Sequence, residues 1–208
     1  ADTVHTSGNS LLHIINDILD LSKIEEGKME LEQIDFPIHD LVDQVRQTLN
    51  YKAEEKGLHL ITAIDQGIPD ILVGDPNRLK QVLINLAGNA IKFTEKGSVT
   101  IEVGSSQSAV GSPQWAVGSG QSTGGSHQSA ARSITFKVID TGIGIPKDKL
   151  EAVFESFSQA HVSDARKFGG TGLGLSISKQ LVELMGGAIS IDSEVGVGTI
   201  FSFTITLA

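Results

Sequence analysis

The sequence predicts an α+β fold, a two-layer sandwich in which three helices cover one face of a mixed sheet, preceded by one long helix. Apolar residues recur at helical spacing in some segments and alternate with polar residues, as in strands, in five or six others. Strand and helix segments follow one another in mixed order, which favours α+β over a strictly alternating α/β sheet. The chain has 208 residues, which suits one domain or one domain with an appendage.

The composition excludes several classes of protein. The absence of cysteine excludes disulfide bonds, thiolate catalysis and cysteine-ligated zinc. The net charge of −9 argues against bulk attraction to nucleic acid or to an anionic membrane. No apolar run approaches the roughly 20 residues that span a bilayer, and no signal peptide is evident. Because the chain begins with Ala1, we expect a piece excised from a longer protein.

The first predicted element is an amphipathic helix over residues 8–28. Its apolar residues recur every three or four positions and form one wide stripe. No neighbouring segment complements this stripe. We therefore expect a partner helix outside this sequence or on a second chain.

The later elements follow from periodicity and from capping residues. Asp75 and Pro76 supply an N-cap and a first-turn proline, so a helix begins there and runs to about Thr94. The other predicted helices are Asp40–Glu55, a short one over Lys147–Phe154, and Leu173–Met185. The predicted strands are Met29–Phe36, Leu58–Ile64, Ser98–Val103, Ile134–Asp140, Ala188–Asp192 and Thr199–Leu207.

Residues 104–133 interrupt this pattern. They contain six of the 23 glycines and nine serines, and they show no periodicity. Such a segment buries too little surface to offset the entropy of ordering it. We interpret it as a flexible insertion in a hairpin connection. A docking role for Trp115, the only tryptophan, is the less favoured alternative.

The first group of candidate functional residues is Asn85, Asn89 and Lys92. They lie four and three positions apart in a predicted helix, so they project from one face. Two amides and an ammonium beside an apolar stripe suit a site that holds Mg²⁺ through a neutral oxygen and phosphate through a cation. The alternative is a solvated polar face, which two asparagines in mid-helix make less favourable.

Grouped glycines mark three further segments. In Asp140–Pro146 an acid leaves a strand into a Gly-x-Gly turn, where it can accept a hydrogen bond from a ligand amine; a plain turn is the alternative. In Phe168–Leu175, downstream of Arg166 and Lys167, glycines enter a helix whose first N–H groups can bind phosphate. The surrounding residues match neither a Rossmann fingerprint nor a P-loop. Glu194–Phe201 is typical of a hairpin turn.

In order and spacing, these groups resemble the N box and the glycine boxes of sensor histidine kinases, with an F box at Phe154–Gln159. The resemblance covers about residues 8–208 apart from the insertion. Residues 16–29 resemble the second helix of that family's dimerization and phosphotransfer hairpin, and are nearest to hybrid kinases, which also carry receiver domains. The resemblance implies a partial hairpin helix at 1–28 and a catalytic ATP-binding domain of the GHKL superfamily, with the Bergerat fold, at 29–208.

The resemblance also implies roles for individual residues. Asn89 would ligate Mg²⁺ with support from Asn85. Asp140 would bind the amino group of adenine, and Thr199 would support that end of the pocket. Lys92 and Arg166 would contact the phosphates of ATP. The other residues assigned to ATP binding are Gly142 and Gly144 in a nucleotide-facing turn and Gly170, Thr171, Gly172, Leu173 and Gly174 at the hinge of a lid over 155–169.

The phosphoacceptor of the family is a histidine followed by an acid and then Leu-Arg-Thr-Pro or a near variant. None of the six histidines fits this pattern, although His39 is followed by Asp40. We therefore expect a cytoplasmic kinase domain that binds ATP and Mg²⁺ but does not phosphorylate itself. The resemblance implies an acceptor hairpin on the same or a partner subunit, a response-regulator receiver domain and a homodimer.

Three other functions compete with this one. GHKL ATPases place a glutamate at the position of Asn85, and a neutral amide cannot take a proton from water. A Ser/Thr kinase of the anti-sigma type is a nearer competitor, against which the helix at 8–28 argues. A non-enzymatic nucleotide-binding scaffold is the third, although every expected polar position is filled.

Overall fold

The computed structural model describes residues 12, 15–16, 18–105, 132–155 and 172–207. The strands in these ranges are β1 (Ile34–Pro37), β2 (His59–Ile64), β3 (Ile71–Gly74), β4 (Ser98–Ser105), β5 (Arg132–Asp140), β6 (Ala188–Glu194) and β7 (Gly198–Leu207). The helices are α1 (Ile38–Glu55), α2 (Pro76–Phe93) and α3 (Gly174–Leu184). Residues 18–25 are also helical, and 3₁₀ turns cover Lys147–Lys149 and Ala152–Phe154.

Five of the strands form a mixed sheet in the order β2-β4-β5-β7-β6. Strand β2 runs parallel to β4, and the other neighbours are antiparallel. Helix α1 packs against β2, α2 against β5 and α3 against β6. The predicted α+β sandwich with a mixed sheet is therefore confirmed.

The core lies between these helices and the sheet. Alternate residues of β5 and β7 are buried, and Phe136 stacks on its cross-strand partner Phe203 with the ring centroids 4.9 Å apart. Buried residues of each helix recur at helical spacing, as expected of an amphipathic helix on a sheet. Those of α2 are Leu79, Val82, Leu83, Leu86, Ala87, Ala90 and Ile91.

Asp75 fixes the start of helix α2. Its Oδ1 accepts hydrogen bonds from the backbone N–H groups of Asn77 and Arg78, both at 3.0 Å. Its Oδ2 accepts from the backbone N–H of Glu32 at 3.1 Å. One buried carboxylate thus satisfies two helix N–H groups and one from the incoming chain. The predicted N-cap is confirmed.

Lys56 binds the other end of helix α2. Its Nζ donates to the carbonyl oxygens of Ile91 at 2.8 Å and Lys92 at 2.7 Å. The last carbonyls of a helix have no partner within the helix and carry its negative dipole end. The cation therefore stabilises the end of α2 that carries Asn89 and Lys92.

Two of the sequence predictions for secondary structure need correction, and one strand was not predicted. Only Ile34–Phe36 of the predicted strand Met29–Phe36 lie in a paired strand, β1. Met29 is buried, but it lies in a segment without regular secondary structure. The predicted helix Lys147–Phe154 consists of two 3₁₀ turns. Strand β3 was not predicted, because its four residues are too few to show a periodicity.

The predicted insertion at 104–133 is shorter than the composition indicated. Gly104 and Ser105 pair with β5, and Arg132 and Ser133 pair with β7. A strand can include glycine and serine when its neighbours supply the ladder, which composition does not reveal. The remainder, with Trp115, lies outside the described residues.

The described part of the first predicted helix packs partly on the domain. Leu21 and Ile24 lie against the core, and Asp20 accepts hydrogen bonds from Arg78 at 2.9 Å and Gln81 at 3.0 Å. Other apolar residues of this helix are exposed, namely Leu12, Ile15, Ile18 and Leu19. No helix in the described ranges has the length and apolar character needed to cross a membrane.

We predict that Asp75→Ala lowers the free energy of unfolding by about 2 kcal/mol, because it removes a helix cap and leaves N–H groups unpaired. Urea denaturation measures this change. The control is Asp70→Ala, which removes an exposed carboxylate and should change the free energy by no more than about 0.5 kcal/mol. Equal effects of the two substitutions would contradict the capping role.

Candidate functional site

The buried face of the central sheet is apolar along most of its length and polar at one end. On β5 and β7 the buried pair Val138–Phe201 is followed on the same face by Asp140–Thr199. Thr199 is paired in turn with Ser193 on β6. The exposed fractions of Asp140, Thr199 and Ser193 are only 7%, 4% and 7%. We call these three side chains, from three adjacent strands, the polar row.

Asp140 is a buried carboxylate with local hydrogen bonds. Its Oδ1 accepts from the backbone N–H of Gly142 at 2.8 Å, and its side chain also accepts from the backbone N–H of Thr199. Burial raises the pKa of Asp140 above the ordinary 3.8, and the two N–H bonds oppose that shift. A carboxylate has about four acceptor sites. Asp140 can therefore take a further donor from a ligand.

The turn after β5 requires both of its predicted glycines. A Cβ at Gly142 would lie 2.6 Å from the carbonyl oxygen of Phe93, at the end of α2. Gly144 has φ +69°, and a Cβ there would collide with the backbone of Glu194. These contacts hold the turn between α2 and the β6–β7 hairpin. The two glycines therefore permit close contacts within the chain, and the predicted role of this turn in facing a nucleotide stays a prediction.

The β6–β7 hairpin contacts the same turn. The backbone N–H of Gly196 donates to the carbonyl of Ile143 at 2.9 Å. Gly198 has φ +141°, and a Cβ there would collide with the backbone of Asp140. Gly196 and Gly198 thus turn the chain, as the hairpin pattern predicted, and their contacts also hold the hairpin against the turn after β5.

Helix α2 carries Asn85, Asn89 and Lys92 on one half-buried face, and its last residue, Phe93, contacts the turn after β5. The Nδ2 of Asn85 lies 3.4 Å from the carbonyl oxygen of Gly174, so it joins α2 to the first residue of α3. The Nζ of Lys92 lies 4.7 Å from the ring centroid of Phe93, and burial lowers the pKa of Lys92. A partly desolvated cation attracts an anion more strongly than an exposed one.

The third group of glycines is only partly described. Gly172 has φ +72° just before α3, and Gly174 is the first residue of that helix. Leu173 is 1% exposed, so its side chain belongs to the core and only its backbone could meet a ligand. Three predicted site residues and all but the first residue of the predicted lid lie outside the described residues, namely Arg166, Gly170, Thr171 and residues 156–169.

Sequence reasoning missed Ser193 and Lys56 as residues that support the site. Ser193 lies one position beyond the predicted strand Ala188–Asp192, and its place opposite Thr199 depends on the register of the β6–β7 hairpin. Lys56 is the C-cap residue of α1 and lies in the turn after that helix. No local pattern indicates that it reaches the end of α2.

Acidic metal clusters are absent from the described part of the chain. No group of three or more His, Cys, Asp or Glu side chains there could hold a metal ion. A divalent cation at this site would therefore depend on amide oxygen, which Asn89 offers, and on oxygens of a bound ligand. The donor set suits Mg²⁺ carried with a phosphate group.

Two curated relatives resemble almost the whole chain. Hybrid signal transduction histidine kinase B of Dictyostelium discoideum is 44% identical over 97% of this chain, which covers 9% of that protein. The signal transduction histidine-protein kinase BarA of Escherichia coli (strain K12) is 42% identical over 99% of this chain, which covers 20% of that protein. The chain thus spans about a tenth to a fifth of the length of these relatives.

A solved structure shares the fold. Full-length ShkA in complex with AMPPNP superposes with a TM-score of 0.77 at 32% identity, over 98% of this chain and 37% of that one. Residues 74–208 match the family described as histidine kinase-, DNA gyrase B-, and HSP90-like ATPase. These residues include α2, the turn after β5, α3 and the polar row. The chain therefore belongs to the histidine kinase-, DNA gyrase B- and HSP90-like ATPase family, as its motifs predicted.

Proposed function

We propose that this chain binds ATP with Mg²⁺ and serves as the catalytic domain of a histidine kinase, which transfers the γ-phosphoryl group to a histidine of a phosphotransfer hairpin. The observation that carries the proposal is the buried carboxylate of Asp140 at the end of an apolar face. A carboxylate removed from water is stabilised by further donors. Membership of the family and the relatives named histidine kinases support the same function.

The polar row would hold the adenine ring. The Asp140 carboxylate would accept a hydrogen bond from the 6-amino group, while the neighbouring apolar residues contact the ring. Gly142, which has no Cβ, keeps the backbone tight around that carboxylate. Thr199 lies beside Asp140 on the adjacent strand, where its hydroxyl can complete the hydrogen bonds of the base.

The half-buried polar face of α2 would hold the phosphates. Lys92 would contact phosphate oxygens, and the amide oxygen of Asn89 would bind Mg²⁺. Asn85 joins α2 to the start of α3, where helix N–H groups favour an anion. Bound ATP would supply the phosphoryl group, and bound Mg²⁺ would neutralise part of the charge on it. The roles of Arg166, Gly170 and Thr171 stay predictions from the family motif.

Phosphoryl transfer is favoured over hydrolysis by the chemistry of Asn85. Its amide donates to the carbonyl oxygen of Gly174 and has no basic atom for a water proton. A GHKL ATPase would use a carboxylate there. A scaffold without catalytic activity predicts no phosphoryl transfer at all.

Partners of this domain belong to the same proposal. The acceptor hairpin would lie on the same or a partner subunit, and a homodimer would place a helix against the exposed Ile18 and Leu19. Because one relative is named a hybrid kinase, a receiver domain is the proposed next acceptor. We also propose a cytoplasmic location.

We predict that Asp140→Asn weakens ATP binding by about ten- to a hundredfold, the value of a hydrogen bond to a charged group. Asn89→Ala should weaken binding in the presence of Mg²⁺ and have little effect without it. Isothermal titration calorimetry with and without Mg²⁺ measures both changes. The matched control is Asp192→Asn, an exposed acid on β6, which should bind as the wild type does. Binding that ignores the Asp140 and Asn89 substitutions would refute the site.

We predict that the carboxyl group of Asp140 titrates above the ordinary aspartate range. In the folded protein without nucleotide its raised pKa favours the protonated form, so this group's contribution to stability is lost as the pH rises from 3.8 through that pKa. An amine donor stabilises the ionised form, so ATP should lower the pKa again. Carbon-13 NMR of the carboxyl carbon, with and without ATP, measures both midpoints. An unchanged midpoint on ATP binding would contradict the contact.

We predict that the chain transfers phosphate to a separately added hairpin that carries an acceptor histidine, but not to itself. Radiolabelled ATP and acid-lability of the product measure the transfer. Lys92→Met should reduce the rate by at least about tenfold, because it removes a phosphate contact. The control is Lys149→Met, which removes a lysine from the 3₁₀ segment. Acid-labile label mapped to one of the six histidines of this chain would overturn the prediction.

A further inference from the structure

Ser193 lies behind Thr199 in the polar row and makes three short contacts through one hydroxyl. Its Oγ accepts a hydrogen bond from the backbone N–H of Ile145 at 2.8 Å. It donates to the carbonyl oxygen of Gly198 at 2.9 Å. It also lies 2.9 Å from the Oγ1 of Thr199. Both hydroxyls are buried, so water does not readily replace these partners.

The count of protons decides the direction of the contact between the two hydroxyls. A serine hydroxyl has one proton and two lone pairs. The single proton of Ser193 goes to the Gly198 carbonyl, which can only accept. One lone pair takes the Ile145 N–H, so the other is left for the Thr199 hydroxyl. Thr199 must therefore be the donor in its contact with Ser193.

The direction of that bond fixes what Thr199 can offer to a ligand. With its one proton directed at Ser193, the Thr199 hydroxyl has only lone pairs left. The neighbouring Asp140 carboxylate is also an acceptor when ionised. The ligand-binding end of the polar row thus presents acceptors on two adjacent strands, β5 and β7.

Acceptors on the protein that face the 6-position of the ring discriminate between the two purine bases. Adenine carries an amino group, a donor, at the position where guanine carries a carbonyl oxygen, an acceptor. Two acceptors that face each other leave both without a partner in a buried site. A site built to accept a hydrogen bond from its ligand rejects an analogue that has no donor at that position.

We propose that Ser193 is a specificity-determining residue, which acts through Thr199 by holding the Thr199 proton and so favours 6-amino purine nucleotides over 6-oxo ones. The inference rests on the proposed ATP-binding function of the same site. Ser193 does not touch the ligand; it is a positioning residue. The backbone contacts at Ile145 and Gly198 hold it in place on both sides.

The test compares ATP with GTP in a double-mutant cycle. Calorimetric dissociation constants are measured for the wild type, Ser193→Ala, Thr199→Val and the double variant. In Ser193→Ala the Thr199 proton is free to turn toward a guanine carbonyl. We expect the GTP-to-ATP ratio of dissociation constants to fall by about three- to tenfold, the value of one neutral hydrogen bond. In the Thr199→Val background, Ser193→Ala should leave the ratio unchanged.

A matched control separates this role from support of the strand. Ser190→Ala removes another serine hydroxyl of β6, which bonds the backbone of Ser202 at the exposed face. It should leave the ratio as in the wild type. A loss of affinity for both nucleotides by the same factor in Ser193→Ala would overturn the proposal, as would a change of ratio that persists with Thr199→Val. Binding of neither nucleotide by the wild type would overturn the proposed function itself.

If Ser193→Ala does not fold, NMR of the Thr199 hydroxyl proton in the unaltered chain tests the proposal instead. A hydroxyl proton held in a buried hydrogen bond exchanges slowly enough for NMR detection. We expect the Thr199 hydroxyl proton to show a nuclear Overhauser effect to the Ser193 β-protons with and without ATP. A hydroxyl proton of Thr199 that instead contacts the nucleotide would overturn the inference.

Discussion

The site depends on one constraint: the apolar face of the central sheet ends in a buried carboxylate that must be hydrogen-bonded. Asp140 occupies a position whose predecessors on the same face are core residues. Desolvation there raises its pKa, and two backbone N–H groups oppose the rise. Burial of this carboxylate costs free energy, and the proposed hydrogen bond from adenine accounts for its position.

The glycines follow from the same constraint. To bring N–H groups to Asp140, the turn after β5 approaches the end of α2 and the tip of the β6–β7 hairpin more closely than a Cβ allows at Gly142, Gly144 and Gly198. Lys56 holds the end of α2 against which the turn rests. The proposed pocket is thus formed by backbone packed on backbone, and side-chain changes elsewhere should disturb it little.

Local sequence signals were enough to predict most of the elements and site residues. The remaining features depend on how the strands pair. Asp75–Pro76, the apolar periodicities and the motif spacings were enough for α2, the mixed sheet and the positions of Asn85 and Asp140. Ser193 and the close approach of Gly198 depend on which strand lies beside which, and a single sequence does not state that register. The predicted strand began too early, at Met29, because alternation indicates burial, and burial does not require a paired strand.

The most direct test of the central claim pairs a change in the ligand with a change in the protein. ATP and its purine riboside analogue, which lacks the 6-amino group, are titrated into the wild type and into Asp140→Asn. The account predicts that loss of the amine weakens wild-type binding by at least about tenfold and changes the variant far less. Equal losses in both proteins would show that Asp140 does not receive the amine, and would contradict the account.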